Sequence, residues 1–191
     1  MPGLRFAHAP LADILAPPFD VITPEQQTSL YERSPYNVVR LELGREADRY
    51  GEARRTFQEW RASGALRQDP PSFYLYEQRF RPPSGGPQRA RRALVARVRL
   101  EAWSAGVILP HESTHDMAKA DRLALLRAVG ANVSPVFGLY DDPGGALRAL
   151  LEPWWHTEPT AVAGLEGTLT LPSPAAAGEG ESERPSPAAA G

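Results

Sequence analysis

The sequence contains no cysteine and only one lysine, and it has no long apolar run. Without cysteine, the chain has no disulfide framework, no thiolate zinc site and no cysteine nucleophile. The N-terminus lacks a basic region followed by an apolar one, and no stretch reaches the roughly eighteen apolar residues of a membrane helix. These absences predict a cytoplasmic protein that neither enters nor crosses a membrane.

The charge is balanced, with 21 Lys and Arg residues against 23 Asp and Glu residues. Arginine supplies every basic side chain except Lys119. Such a balance predicts no broad cationic field for nucleic acid or a membrane surface. The expected partner is therefore a small-molecule substrate.

The composition divides the chain into a domain over residues 1–170 and a tail over residues 171–191. The tail repeats PSPAAAG at Pro172–Gly178 and Pro185–Gly191, with EGESER between the two copies. It has almost nothing to bury, which predicts disorder. The tail is interpreted either as a flexible linker or as a reading frame that has left its gene.

The first half of the domain alternates helix and strand signals. Thr23-Pro24 predicts a helix start, with the helix running to about Arg33. The alternation in YNVVRLEL predicts a strand over Tyr36–Leu43. A second helix follows, stopped by Gly64, and its apolar face is predicted to comprise Tyr50, Ala53, Phe57 and Trp60.

The second half predicts a hairpin, a helix, a strand and a short helix. Ser72–Phe80 and Arg91–Leu100 flank the turn-rich RPPSGGPQ. A helix over about Ala118–Val129 precedes a strand over Pro135–Tyr140, and Asp142 caps a helix through Leu151. Without regular β-α alternation, these elements predict an α+β fold, a mixed sheet with flanking helices.

The stretch His111-Glu112-Ser113-Thr114-His115 matches the H-E-x-x-H pattern of zinc peptidases. In those enzymes both histidines lie inside one apolar helix, whereas this stretch is polar and follows Pro110. Glu152 and His156 are candidates for a third ligand on distance alone. The zinc metallopeptidase interpretation is therefore the weakest alternative.

Three segments together resemble the N-terminal half of the family called domain of unknown function 1015. They are LAPPFDVITPEQQTSLYERSPYNVVRLEL (Leu15–Leu43), LPHESTHDMAKADRLALLRAVGAN (Leu109–Asn132) and SPVFGLYDD (Ser134–Asp142). The resemblance places Thr114, Lys119 and Asp121-Arg122-Leu123 at family positions and makes His115 a coincidence. The family is about twice as long and carries a further G-H-H-R segment similar to ParB/sulfiredoxin-like serine kinases. By this comparison the chain is a truncated, incomplete domain.

The resemblance implies phosphotransfer to or from a small metabolite such as serine or phosphoserine, by a kinase or phosphatase with a nucleotide and magnesium as expected cofactors. Glu112 would act as the general base and His111 would orient it. Lys119 and Arg122 would bind phosphate. Apart from the resemblance, Arg40 on the predicted strand could reach an anion such as the phosphate, and Asp20 is a weak candidate for magnesium.

Each of these residues also has a structural interpretation. His111 and Glu112 fit a helix cap, Lys119 and Arg122 fit a solvated helix face with local pairing to Asp121, and Asp20 fits a structural turn. A non-catalytic ligand-binding or interaction module, or a gene remnant, therefore remains an alternative to an enzyme whose fragment is itself inactive.

Overall fold

A computed structural model describes residues 3–110, 115–159 and 162–163. Six α-helices and four strands lie within them. The helices are α1 (Leu11–Ile14), α2 (Pro24–Arg33), α3 (Val39–Glu42), α4 (Arg49–Ala62), α5 (Asp116–Val129) and α6 (Ala146–Leu151). The strands are β1 (Leu4–Phe6), β2 (Leu66–Gln68), β3 (Tyr74–Phe80) and β4 (Arg89–Val95). Short 3₁₀ turns cover Phe19–Val21, Trp103–Ala105 and Glu152–His156.

The predicted α+β class is confirmed, but the mixed sheet is wrong. Within the described residues the strands form two separate antiparallel pairs, β1 with β2 and β3 with β4. The β3–β4 pair is the predicted hairpin, with Tyr74 opposite Val95 and Phe80 opposite Arg89, although its second strand ends at Val95 and not at Leu100 as predicted. Two-stranded sheets need helices or further strands to cover them, and helices supply most of the core here.

Local signals at the helix ends are confirmed. Thr23 and Gln26 form a reciprocal capping box at the start of α2, which ends at Arg33 as predicted. The Asp48 carboxylate accepts a hydrogen bond from the Gly51 amide at the start of α4. Gly64 follows α4 with φ of 76°, a left-handed conformation that glycine adopts without steric cost.

The core lies between α4 and α5. Ala53, Phe57 and Trp60 on α4 are buried as predicted, and Leu125 and Val129 on α5 pack in the same cluster. Two polar contacts also join these helices, one from the Tyr50 hydroxyl to Asp121 and one from Arg54 to the Ala128 carbonyl oxygen.

The predicted strand over Tyr36–Leu43 is wrong, because the segment contains the short helix α3. Val39 packs with the cluster of Leu30 and Tyr31, whereas Leu41 packs with the α4–α5 cluster. A single helical turn between two apolar clusters buries residues on opposite sides. The resulting alternation imitates the period of a strand.

The predicted strand over Pro135–Tyr140 is also wrong. This segment has no regular structure and pairs with no described strand. Val136 and Leu139 are 95% and 92% exposed. An alternating sequence forms a strand only where a neighbour satisfies its backbone groups, and the described residues offer no such neighbour here.

The remaining expectations fall on the later elements and the tail. The α5 helix begins two residues before the predicted start and ends at Val129 as expected. The Asp142 carboxylate accepts hydrogen bonds from the Leu147 and Arg148 amides, which confirms the cap of α6. The tail over residues 171–191 lies outside the described residues. Within the described part, no helix is long and apolar enough to cross a membrane.

Asn37 is fully buried and joins α1 to α3. Its amide nitrogen donates to the carbonyl oxygens of Asp13 and Leu15, at 2.8 and 2.9 Å. Its side-chain oxygen accepts from the Val39 amide at 3.0 Å. A buried amide is tolerated only when its hydrogen bonds are made, and here one side chain satisfies three backbone groups.

We expect Asn37→Ala to lower the free energy of unfolding by roughly 3 kcal/mol, since it leaves two carbonyls and an amide without partners. Thr23→Ala, which removes only an exposed cap, should cost about 1 kcal/mol. Urea unfolding of both variants measures the difference. Equal losses would contradict the bridging role of Asn37.

Candidate functional site

The three sequence segments that resemble the family meet around one side chain, Arg122 on α5. The Arg122 guanidinium carbon lies 3.7 Å from the centre of the Phe19 ring in the first segment. Its Nη2 donates to the carbonyl oxygen of Glu42, at 3.4 Å, near the end of the same segment. Ser134, which opens the third segment, donates its hydroxyl to the Glu42 carboxylate. Residues far apart in sequence thus converge on one guanidinium.

Asp121 holds this guanidinium from the side. Arg122 Nε donates to Asp121 Oδ2 at 2.8 Å, and the Tyr50 hydroxyl donates to Oδ1 at 2.7 Å. Arg49 also forms an ion pair with Oδ1. Burial alone would raise the pKa of Asp121, but the hydrogen bonds from Tyr50 and Arg122 and the charges of both arginines hold that pKa below its ordinary value. Asp121 is therefore a fixed negative charge at neutral pH.

The pKa of Glu42 is displaced in the opposite direction. Burial of its side chain raises the pKa of Glu42 above the ordinary value, and the nearby charge of Asp20 adds to the rise. The Ser134 hydrogen bond and the Arg122 charge act against this rise but do not cancel it. Two carboxyl groups beside one arginine thus have pKa values displaced in opposite directions, which is common where proton transfer occurs.

One nitrogen of Arg122 has no acceptor among the described residues. Nη1 is buried, and no hydrogen-bond partner reaches it. An unsatisfied buried donor costs roughly 1–3 kcal/mol, so buried N–H groups in proteins are nearly always hydrogen-bonded to protein, water or a ligand. Arg122 also borders a small cleft whose other lining residues are Leu125, Leu126, Ala131, Asn132, Val133 and Ser134. An acceptor entering this cleft would have a cation to bind.

Lys119 and Arg40 stand in different surroundings. Lys119 lies one turn before Arg122 on the exposed side of α5, where its Nζ pairs with Asp116 at 2.7 Å. Arg40 donates to the carbonyl oxygens of Tyr31 and Ser34 at the end of α2, at 2.7 and 3.3 Å. Among the described residues, Arg40 thus caps the end of α2 and makes no contact with Arg122.

His111 and Glu112 lie outside the described residues. His115 is described, and it is the residue before α5, with ψ of 136°. Its backbone therefore lies outside the helix, whereas a zinc-peptidase motif needs both histidines inside one. The predicted third-ligand candidates pair with each other, with His156 Nε2 3.3 Å from Glu152 Oε1. Across residues 3–110 and 115–159, no three His, Cys, Asp or Glu side chains come together as metal ligands would.

Comparison with known proteins supports the family resemblance. The model of the family described as Protein of unknown function (DUF1015) matches residues 1–168. The chain belongs to the DUF1015 family. Searches of curated proteins and of solved structures found no match.

Sequence reasoning about this DUF1015 chain missed Glu42, Ser134, Arg49 and Tyr50. Glu42 and Ser134 lie in the segments that resemble the family, so the resemblance contained a signal for them. Nothing in their spacing indicates contact, however, because 92 positions separate the two. Tyr50 was assigned only to the apolar face of its helix, although its hydroxyl reaches Asp121.

We expect Asp121→Asn to lower the free energy of unfolding by about 2 kcal/mol at pH 7, because two arginines lose a charged acceptor. The pKa of Asp121 is lowered from an ordinary 3.8, so its contribution is present above that pH and disappears as pH falls through the folded value. The difference between wild type and variant should therefore shrink below about pH 4.

Asp116→Asn is the matched control, since Asp116 is an exposed partner of Lys119 and such pairs stabilise little. Thermal unfolding across the pH range measures both variants. Equal effects of the two substitutions at pH 7 would show that Asp121 does not hold the cluster together.

Proposed function

We propose that this part of the DUF1015 domain binds the phosphate group of a small metabolite, in a phosphotransfer enzyme acting on serine or phosphoserine. The observation that carries the proposal is Arg122, where three distant segments meet around a guanidinium with one nitrogen, Nη1, unsatisfied among the described residues. Arginine suits a phosphate because it stays charged and its remaining N–H donors can form charged hydrogen bonds to phosphate oxygens. Serine and phosphoserine are suggested by the family resemblance.

The surroundings of Arg122 favour a preorganised anion site. The Phe19 ring covers one face of the guanidinium, and Asp121 fixes its Nε edge. A side chain already held in place loses little entropy when a ligand binds. Lys119, exposed one turn away with Asp116 as its partner, would approach the same phosphate as a mobile point charge.

Two carboxylates are candidates for the proton acceptor. The family resemblance assigns that role to Glu112, with His111 orienting it. Glu42 is a second candidate, because its raised pKa improves its ability to take a proton near neutral pH. In either case the attacking hydroxyl gives its proton to the carboxylate as its oxygen bonds to phosphorus, and the leaving oxygen keeps the electrons of the broken bond.

Magnesium and a nucleotide are the expected cofactors. A magnesium ion would neutralise charge on the transferring phosphoryl group. Asp20 is the carboxylate proposed for it, and its charge reaches Glu42. These two side chains fall short of three convergent ligands, although magnesium commonly keeps waters and substrate oxygens in its shell. We therefore derive no catalytic step through the metal.

We expect the chain alone to bind phosphoserine without turning it over. Phosphoryl transfer depends on charge stabilisation from several sides of the transferring group, and this sequence contains no G-H-H-R segment. A binding module without catalysis is the second candidate function. Asp121 favours it, because that carboxylate offsets the charges of Arg49 and Arg122 as a structural ion-pair network would.

The first experiment measures binding by calorimetry with phosphoserine as the titrant. Arg122→Gln should weaken binding at least tenfold, roughly the value of a lost charged hydrogen bond. Arg122→Lys should also weaken it, since an ammonium group lacks the planar guanidinium that Asp121 and Phe19 hold in place. Arg127→Gln, an exposed arginine on the same helix, is the control and should have no effect. Unchanged binding in Arg122→Gln would contradict the anion site.

The second experiment measures turnover after the chain is joined to a family segment that carries G-H-H-R. Glu112→Gln and Glu42→Gln are compared, and the variant that abolishes turnover while it retains binding identifies the base. Because burial raises the folded-state pKa of Glu42, its ionised form costs stability as pH rises through that pKa. Glu42→Gln should therefore not lower the thermal midpoint at pH 7. Binding without turnover in every form would establish the binding-module alternative.

A further inference from the structure

The arginines of this chain are concentrated on the β3–β4 hairpin and the residues after it. Seven of them lie between positions 79 and 99, a stretch that contains no aspartate or glutamate. The net charge of −2 for the whole chain hides this concentration. The expectation that nucleic acid is not a partner was based on the whole-chain balance, and it does not apply to one local surface.

The arginines on the two faces of the hairpin have different neighbours. Residues directly opposite across the strands share a face, and alternate residues share a face along each strand. One face contains Glu77, which accepts hydrogen bonds from Arg79 Nε at 2.8 Å and Arg92 Nε at 2.9 Å. Arg92 also lies over the Trp155 ring, 5.0 Å from its centre. The two arginines of this face therefore share an acidic partner.

The opposite face has arginines beside aromatic rings and no carboxylate. Tyr76 and Phe80 lie on it, 51% and 36% exposed, and Arg89 stands across from Phe80. The Arg91 guanidinium carbon lies 5.8 Å from the Phe80 ring centre and 5.1 Å from that of Phe137. Within the described residues, neither Arg89 nor Arg91 has an acidic partner. We call these five residues the arginine–aromatic face.

We propose that the arginine–aromatic face binds single-stranded nucleic acid. Single strands are held by aromatic rings that stack on bases and by cations that follow the phosphates, and arginine also stacks on rings. This face offers both groups side by side. The inference does not depend on the anion site at Arg122.

Other polyanions fit this face less well. A membrane-binding hairpin inserts large apolar residues, whereas the loop RPPSGGPQ between the strands has none. An acidic protein segment would use the cations but would leave the exposed rings of Tyr76 and Phe80 without a stacking partner. Both alternatives serve as comparison ligands.

The test measures fluorescence anisotropy of labelled pyrimidine oligonucleotides of about 20 nucleotides, one RNA and one DNA, with the full chain. The hairpin variant replaces Arg89 of the arginine–aromatic face with Gln, together with Arg81 and Arg97, which follow the two strands. All three are exposed and have no side-chain partner among the described residues, so the fold should be kept, as circular dichroism will verify. The control replaces Arg33, Arg127 and Arg148, which are equally exposed, and changes the net charge by the same amount.

The hairpin variant should bind at least roughly tenfold more weakly, and the slope of log affinity against log salt should fall by about two for three lost phosphate contacts. The control should keep most of the affinity. A second variant, Tyr76→Leu with Phe80→Leu, should weaken binding while leaving the salt slope unchanged, because stacking releases no counterions.

Three results would overturn the proposal. One is the absence of binding to either oligonucleotide at low salt. Another is an equal loss in the hairpin and control variants, which would indicate only a general effect of net charge. The last is equal or tighter binding of polyglutamate or of anionic phosphatidylserine vesicles, which would assign the face to a protein or membrane partner.

Discussion

Partial burial of the Arg122 guanidinium is the constraint on which the other parts of the structure depend. A buried charge is tolerated only when it is paired and hydrogen-bonded. Asp121 supplies the countercharge, the Phe19 ring covers the plane of the guanidinium, and the Glu42 carbonyl oxygen accepts a further hydrogen bond. These contacts fix α5 against α3 and against the turn before α2. The apolar face of α5 packs against α4 through Leu125 and Val129.

The residues around Arg122 also displace the pKa values of two carboxyl groups, Asp121 and Glu42, in opposite directions. Asp121 has three donors and stays ionised, whereas Glu42 has one hydroxyl donor and a pKa raised by burial. The difference arises from their partners, since both lie beside Arg122. Such a pair gives the site a fixed anion, a fixed cation and a group able to exchange a proton. A structural ion-pair network would account for the first two but leaves Arg122 Nη1 unexplained.

Local sequence signals predicted the parts of the fold that local physics decides. The capping box at Thr23, the apolar face of α4 and the glycine after it depend on neighbouring residues alone, and all three are confirmed. The strand predictions failed where the outcome depended on distant partners. Val39 and Leu41 alternate because they meet two different clusters, and Pro135–Tyr140 has no strand beside it.

The sequence likewise identified some residues of the site and missed others. Arg122 was identified through the family resemblance, and its pairing with Asp121 followed from their adjacency. Arg40 was assigned to phosphate because its segment was interpreted as a strand, and once that segment is a helix the side chain caps α2 instead. Glu42 could not be placed beside Ser134 without the tertiary structure, because chain separation carries no information about such a contact.

The most direct test follows the arginine side-chain N–H signals by nuclear magnetic resonance while phosphoserine is added to the nitrogen-15-labelled chain. If Arg122 is the anion site, its Nη–H resonances should shift in a saturable way, because Nη1 is the donor without a partner among the described residues whereas Nε already donates to Asp121. The Arg40 resonance should stay in place, because its donors are already used by carbonyls of α2. A larger shift at Arg40 than at Arg122, or no shift at any arginine under saturating phosphoserine, would contradict the account.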